Sequence, residues 1–172
     1  MKLPDDLEFN IVGVGAIIEK QLNGVQHVLI QNRIRIDDCT QNHLIEIPCG
    51  KVRKKQNIFN VLKHRVREET GLIVTNIIGQ RNVYDSHPNY YIQGGKPFYI
   101  CQNVEQDFPV CIIFYVCTAL DDNMKSDSAA ATDIRWISID DLEQMLKTKK
   151  ELFFPFVYEA LKEYVYINKN MI

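Results

Sequence analysis

Apolar positions follow two different rhythms along this chain, and each rhythm predicts its own kind of element. Residues 9–20 (FNIVGVGAIIEK) are β-rich and predict a strand, Asn23-Gly24 is a hairpin turn signal, and residues 25–35 predict the returning strand. After a polar loop from Asp37 to Asn42, Leu44-Ile45-Glu46-Ile47 reads as a short strand stopped by Pro48 and Gly50. Residues 73–79 and 134–137 predict further strands, and residues 109–120 a strand buried by its continuous apolarity. Between Gln80 and Gln106 neither rhythm holds, so that region reads as irregular, with a turn at Gly94-Gly95-Lys96-Pro97. The helical rhythm holds over residues 58–70, with Asn57 as N-cap and Gly71 as the residue past the C-terminus. Two more helices are predicted, one over 140–147 capped by Ser138 or Asp140 and a last amphipathic one over 155–165. Strands and helices mix without strict βαβ alternation, which predicts an α/β fold with a mixed sheet flanked by helices. No repeat or low-complexity linker divides residues 1–172, and that length suits one domain.

The helix at 58–70 carries charge where an ordinary amphipathic helix does not. At about 100° per residue, Val61, Leu62 and Val66 span its apolar face, and Arg65 and Glu69 fall inside that face, roughly 40° apart. Glu68 stands at its border. Charged groups on an inward face need partners, which are each other, a metal or a charged ligand. The preceding Pro48-Cys49-Gly50 turn brings backbone close to them, so this helix is the candidate site.

At these residues the chain resembles the Nudix family, whose signature is G-x5-E-x7-R-E-U-x-E-E-x-G-U with U aliphatic. Gly50, Val66, Glu68, Glu69, Gly71 and Leu72 match at unbroken spacing, whereas Gln56, His64 and Arg65 depart from the pattern. Glu46-Ile47-Pro48-Cys49-Gly50-Lys51-Val52 is similar to the common entry into the signature, and residues 134–142 to a strand-to-helix segment near the end of many members. The resemblance covers about residues 10–146. It implies a Nudix-type α/β/α sandwich and hydrolysis of a phosphoanhydride in a nucleoside diphosphate linked to another moiety, with Mg²⁺ or Mn²⁺. By position, Glu68 and Glu69 become metal ligands, and the backbone carbonyl of Cys49 a further one. The catalytic set carried over is Glu68, Glu69 and Arg65. Lys51, Arg53, Glu46 and Tyr84 are the candidates for substrate contact.

Arg65 changes what this set can do. The pattern's three glutamates carry −3, whereas Arg65, Glu68 and Glu69 together carry −1. A guanidinium neither ligates a cation nor accepts a proton near neutral pH. Its expected partners are Glu68 and Glu69, one helical turn on, which makes Arg65 a stand-in for the metal's charge. Arginine also suits direct contact with phosphate. Gln56 and His64 replace a glutamate–arginine pair and are expected to share a neutral hydrogen bond instead. A general base outside the signature has candidates in Glu46, Glu105, Asp121, Asp122, Asp127 and Asp133, each also readable as a solvated acid. Two readings follow: a Nudix hydrolase with altered or weakened metal-dependent catalysis, or an inactive Nudix domain that binds a nucleotide-like ligand or a protein. A ligand of another kind stays open, because fold does not fix function.

Other features narrow the setting. The run Lys51-Val52-Arg53-Lys54-Lys55 either meets substrate phosphates or is simply solvated. Tyr84, Tyr90, Tyr91, Phe98 and Tyr99 either stack on a base or pack in the core. Phe153, Phe154, Phe156, Tyr158 and Tyr164 either form a homodimer surface or cover the sheet. A net charge of −2 gives no nucleic-acid signal, so the expected partner is a small-molecule nucleotide derivative. Five cysteines, odd in number and without a C-x-x-C pair, fit free thiols in a reducing compartment. The start Met1-Lys2-Leu3-Pro4-Asp5-Asp6 is too polar for a secretory segment, and no apolar run is long enough to cross a bilayer, so a cytoplasmic location is expected.

Overall fold

The computed structural model describes residues 11–34, 43–87, 90–104, 109–120, 124 and 131–170, with residues 82–87, 90 and 91 described by backbone alone. Strand β1 (Ile11–Leu22) is the axis of the sheet. The turn Asn23-Gly24, both residues at positive φ (51° and 79°), returns it into β2 (Val25–Arg33). On its other side β1 lies parallel to β9 (Val110–Leu120), from Ile11 opposite Val110 to Ile18 opposite Cys117. The continuous sheet runs β10-β2-β1-β9-β5, with β5 at Ile73–Ile77 and β10 at Ala131–Ser138. One parallel pair among antiparallel ones makes the sheet mixed, as expected.

β1 and β2 pair only at the hairpin end, from Glu19 opposite Val28 to Leu22 opposite Val25. Beyond it two short strands separate them: β3 (Ile45–Glu46) pairs with β2, and β4 (Cys49–Lys51) pairs with β1. Pro48 lies between the two short strands. The sheet is thereby wedged open at this end, and the wedge holds the site.

Helices cover both faces. α1 (Ile58–Thr70) packs Phe59, Leu62 and Val66 against Val14, Ala16, Ile18 and Tyr115 on one face. α2 (Ile139–Thr148) and α3 (Pro155–Asn170) pack Leu142, Val157, Leu161 and Tyr164 against Ile17, Val28, Ile30 and Phe114 on the other. This is an α/β/α sandwich. Asn57 Oδ1 accepts from the N–H groups of Phe59 (2.9 Å) and Asn60 (3.1 Å), and Gly71 ends α1 at φ 76°, where a side chain would be strained. Of the two candidate caps for α2, Ser138 is the one used, accepting from the Asp141 N–H at 3.1 Å.

The structure corrects several boundaries. The region read as irregular holds three strands: β6 (Gln80–His87) and β7 (Tyr90–Gly95) form a hairpin, and β8 (Tyr99–Gln102) pairs with β9. β6 and β7 pair only with each other, apart from the main sheet, and their sequences carry no apolar alternation to read. β4 continues through Gly50 because β1 lies beside it. β10 begins at Ala131, and α3 runs on to Asn170. Phe153 and Tyr164 are buried, so these two aromatics cover the sheet. Among the described residues, no helix is long and apolar enough to cross a membrane.

Candidate functional site

The wedge between β1 and β2 encloses a cleft of about 360 Å³, within the range of small-molecule sites. β1 supplies Gly13 and Val14, the end of β2 supplies Arg33, β3 supplies Glu46, and β4 supplies Cys49, Gly50 and Lys51. α1 contributes Arg65 and Glu69, and Phe154 and Phe156 close the far wall. The helix and strand face that carried charge in the sequence is therefore the lining of a cavity.

Arg65 owes its course to Gly50. A Cβ at position 50 would stand 2.4 Å from Arg65 Cγ and 2.9 Å from its Nε, so the arginine stem lies flat on the glycine backbone. Its Nη1 then reaches Glu68 Oε2 at 3.3 Å, and the same oxygen is 3.2 Å from His64 Nδ1. Glu69 goes the other way. Its carboxylate is almost fully buried and accepts from Gln31 Nε2 at 2.7 Å. The backbone N–H of Cys49 also donates to it. That N–H is available because Ala16 N–H donates to Pro48 O and Val52 N–H to Val12 O, which leaves Cys49 on the intervening pair, its peptide turned away from β1. Burial pushes the Glu69 carboxyl up to about 7, and the neighbouring Glu46 charge adds to this. The Gln31 and Cys49 hydrogen bonds and the Arg65 charge hold it down only in part.

Glu46 pairs with Arg33 at 3.3 Å, both side chains largely buried. The Arg33 guanidinium lies 4.4 Å over the Phe154 ring, and Phe154 stacks on Phe156 at 5.5 Å and 28°. One wall of the cleft is thus a three-layer stack of planar groups.

A second hollow of about 520 Å³ opens on the outer side of Arg65, lined by Lys51, Arg53, Lys55, Gln56, Asn57, Asn60, Val61, His64, Arg65 and Glu68. Lys51 and Arg65 line both spaces. Gln56 Oε1 accepts from the Arg53 N–H at 2.8 Å and fixes the loop, and His64 turns to Glu68. The expected hydrogen bond between Gln56 and His64 is not formed, because each has a nearer partner.

A model of the family described as the NUDIX domain matches residues 10–157. The chain belongs to the NUDIX domain family. Solved structures agree in fold. A MutT NUDIX hydrolase from Burkholderia pseudomallei has a TM-score of 0.63 at 16% identity, covering 91% of this chain and 98% of that one. The NUDIX domain of Shewanella oneidensis NrtR, complexed with ADP ribose, has a TM-score of 0.61 at 14% identity over 83% and 82% of the two chains. A Caenorhabditis elegans Ap4A hydrolase in a binary complex has a TM-score of 0.60 at 12% identity over 93% and 98%. No curated protein matches this chain.

The Nudix signature of this domain does not assemble a metal-holding group. Glu69 faces the inner cleft, Glu68 the outer hollow, and Arg65 borders both. Each acid is already engaged: Glu46 by Arg33, Glu68 by Arg65 and His64, Glu69 by Gln31 and the Cys49 N–H. Among the described residues, no three His, Cys, Asp or Glu side chains come together where they could hold a metal ion. A hard divalent cation, even one that keeps most of its waters, needs carboxylate oxygens that are free to turn to it, and a guanidinium between Glu68 and Glu69 repels it. The residues present do not fit Mg²⁺ or Mn²⁺.

Of the residues singled out from sequence, Glu46, Cys49, Lys51, Arg65 and Glu69 meet in the inner cleft, and Arg53 and Glu68 lie on the outer hollow. Arg65 pairs with Glu68, and Glu69 takes Gln31 instead. Tyr84 lies on β6, its side chain outside the described residues, as are Glu105, Asp121, Asp122 and Asp127. Asp133 is engaged by Arg135. Sequence reasoning missed Gln31, Arg33, Phe154 and Phe156. The signal for the first two was polar residues two apart at the end of an apolar strand, hence on one face.

Proposed function

We propose that this Nudix domain binds a nucleoside-diphosphate-type small molecule in the inner cleft, with Arg65 standing where the family's pattern has a metal-ligating glutamate. The observation that carries this reading is Arg65 itself, laid over Gly50, anchored to Glu68 and open to both spaces. A guanidinium so placed offers phosphate oxygens paired donors and a permanent positive charge without a cation. The stack of Arg33, Phe154 and Phe156 supports the non-phosphate half of the proposal, since a planar base gains from an aromatic face. The Shewanella domain carrying ADP ribose and the Caenorhabditis Ap4A hydrolase are relatives in fold with ligands of this chemical class. The four described cysteines are free thiols, which supports a reducing, cytoplasmic setting.

A second reading, altered hydrolysis, is favoured by one observation. Glu69, at about 7, is poised to take up or release a proton at neutral pH, as a general base must be. In that reading turnover rises as pH climbs through about 7 and is lost in Glu69→Gln.

Calorimetric titration with ADP-ribose, a nucleotide sugar, a dinucleoside tetraphosphate and the common nucleotides, in EDTA and again in Mg²⁺, with released phosphate assayed in parallel, separates the two. We expect at least one compound to bind equally well with and without metal, and Arg65→Glu to weaken it about tenfold or more. Mg²⁺-dependent phosphate release by the wild type, abolished in Glu69→Gln, overturns the binding reading in favour of the hydrolase.

A further inference from the structure

The hollow outside Arg65 differs in character from the cleft inside it. Lys51, Arg53, Lys55 and Arg65 bring +4 to its walls, and Glu68, with −1, is already held by Arg65 and His64. Arg53 and Lys55 are exposed and have no ion-pair partner among the described residues. α1 opens onto the same space through Asn57 and Asn60, and its first turn holds no acidic residue, so the positive end of a thirteen-residue helix, capped by the neutral Asn57 side chain, adds to the positive character there. The backbone of the loop that carries the cations is closed into a turn by Gln56, whose Oε1 accepts from the Arg53 N–H and whose N–H donates to Arg53 O. In a chain whose net charge is −2, this is a local concentration of the opposite sign.

Several cations around an open basin suit a compact, multiply charged anion better than a single carboxylate or a neutral group. Lys51 and Arg65 line both spaces, so the basin adjoins the inner cleft at Arg65. We propose that the outer hollow is a metal-independent phosphate site that receives the free terminal phosphates of the ligand. This rests on the nucleotide-binding reading above and narrows it. A nucleoside di- or triphosphate with an uncapped chain places its last phosphates among Arg53, Lys55 and His64. A compound whose phosphates are closed off by a second sugar places a neutral, bulky group there and loses those contacts.

The test titrates wild type and the exposed-loop double variant Arg53→Ser/Lys55→Ser, in EDTA, with the mono-, di- and triphosphate of each of four nucleosides, with ADP-ribose, and with inorganic tripolyphosphate. The expected result is a gain of about tenfold in affinity per added free phosphate. ADP-ribose should rank below ADP, and tripolyphosphate should compete with the nucleotides. In the double variant, di- and triphosphate should fall to within about threefold of the monophosphate. Nucleotides that bind without this ladder, or with a ladder the variant keeps, overturn the phosphate site and leave the nucleotide reading standing. Tripolyphosphate that binds and is lost in the variant, with no nucleotide bound, keeps the phosphate site and overturns the nucleotide reading. Binding of none of them overturns both.

Discussion

Glu69 has an ordinary helix position and an unusual environment, and the consequence can be measured without any ligand. Its carboxyl stands at about 7 against 4.5 for an unhindered glutamate, chiefly because it is buried. Between those values the folded chain holds a proton that the unfolded chain has released. The contribution of this group to stability is therefore fullest below 4.5 and is lost as pH rises through about 7, after which it levels off. Glu69→Gln keeps the shape and removes the titration. In urea unfolding at about pH 5 and about pH 8, the wild type should lose stability relative to the variant as pH rises. Parallel curves for the two proteins would show that Glu69 titrates normally. Gln31 belongs to the same network: its Nε2 serves Glu69 while its buried Oε1 has no hydrogen-bond partner among the described residues, an arrangement that costs about 1–3 kcal/mol.

Among the elements, α1 was the most legible, and β4 and the β6–β7 hairpin the least. The cap at Asn57, the apolar face of Val61, Leu62 and Val66 and the stop at Gly71 all fall within one short stretch, so local chemistry fixes both ends of α1. The inward placement of Arg65 and Glu69 was readable from the same helical angle. The pairing of Arg65 with Glu68 was readable too, three residues on along the same helix, whereas the partner of Glu69 was not, because Glu69 meets Gln31 across thirty-eight residues of chain through a strand register that no local pattern encodes. β4 was hidden by Gly50, which reads as a breaker in sequence and is a strand residue in the fold. Its smallness serves the contact between β4 and α1. In Gly50→Ala the new methyl group meets Arg65 Cγ at 2.4 Å, and Arg65 must leave its path. Melting of this variant should show a loss of about 1–3 kcal/mol, and ligand affinity should fall with it. Unchanged stability and affinity would mean that Arg65 does not depend on this seat.

At the scale of the molecule, the fold was legible because its parts occur in the right order along the chain: the strand and hairpin, the signature helix, the buried strand and the late strand-to-helix step. The cleft was only half legible. Its acidic and basic lining on β3, β4 and α1 lay within one continuous segment, residues 46–69. Other walls came from β1, from the end of β2, from β9 and from Phe154 and Phe156, the last two more than eighty residues beyond α1, and only the sheet and its wedge bring them together. The whole arrangement implies that positive charge at the centre of the site is supplied by the chain itself. Titration of Mn²⁺ into the wild type and into Arg65→Glu, followed by calorimetry, tests this most directly. The wild type should take up no stoichiometric Mn²⁺, and Arg65→Glu, which removes the guanidinium and sets a third carboxylate between Glu68 and Glu69, should gain a site. A wild type that binds Mn²⁺ stoichiometrically and loses it in Glu69→Gln would contradict the account.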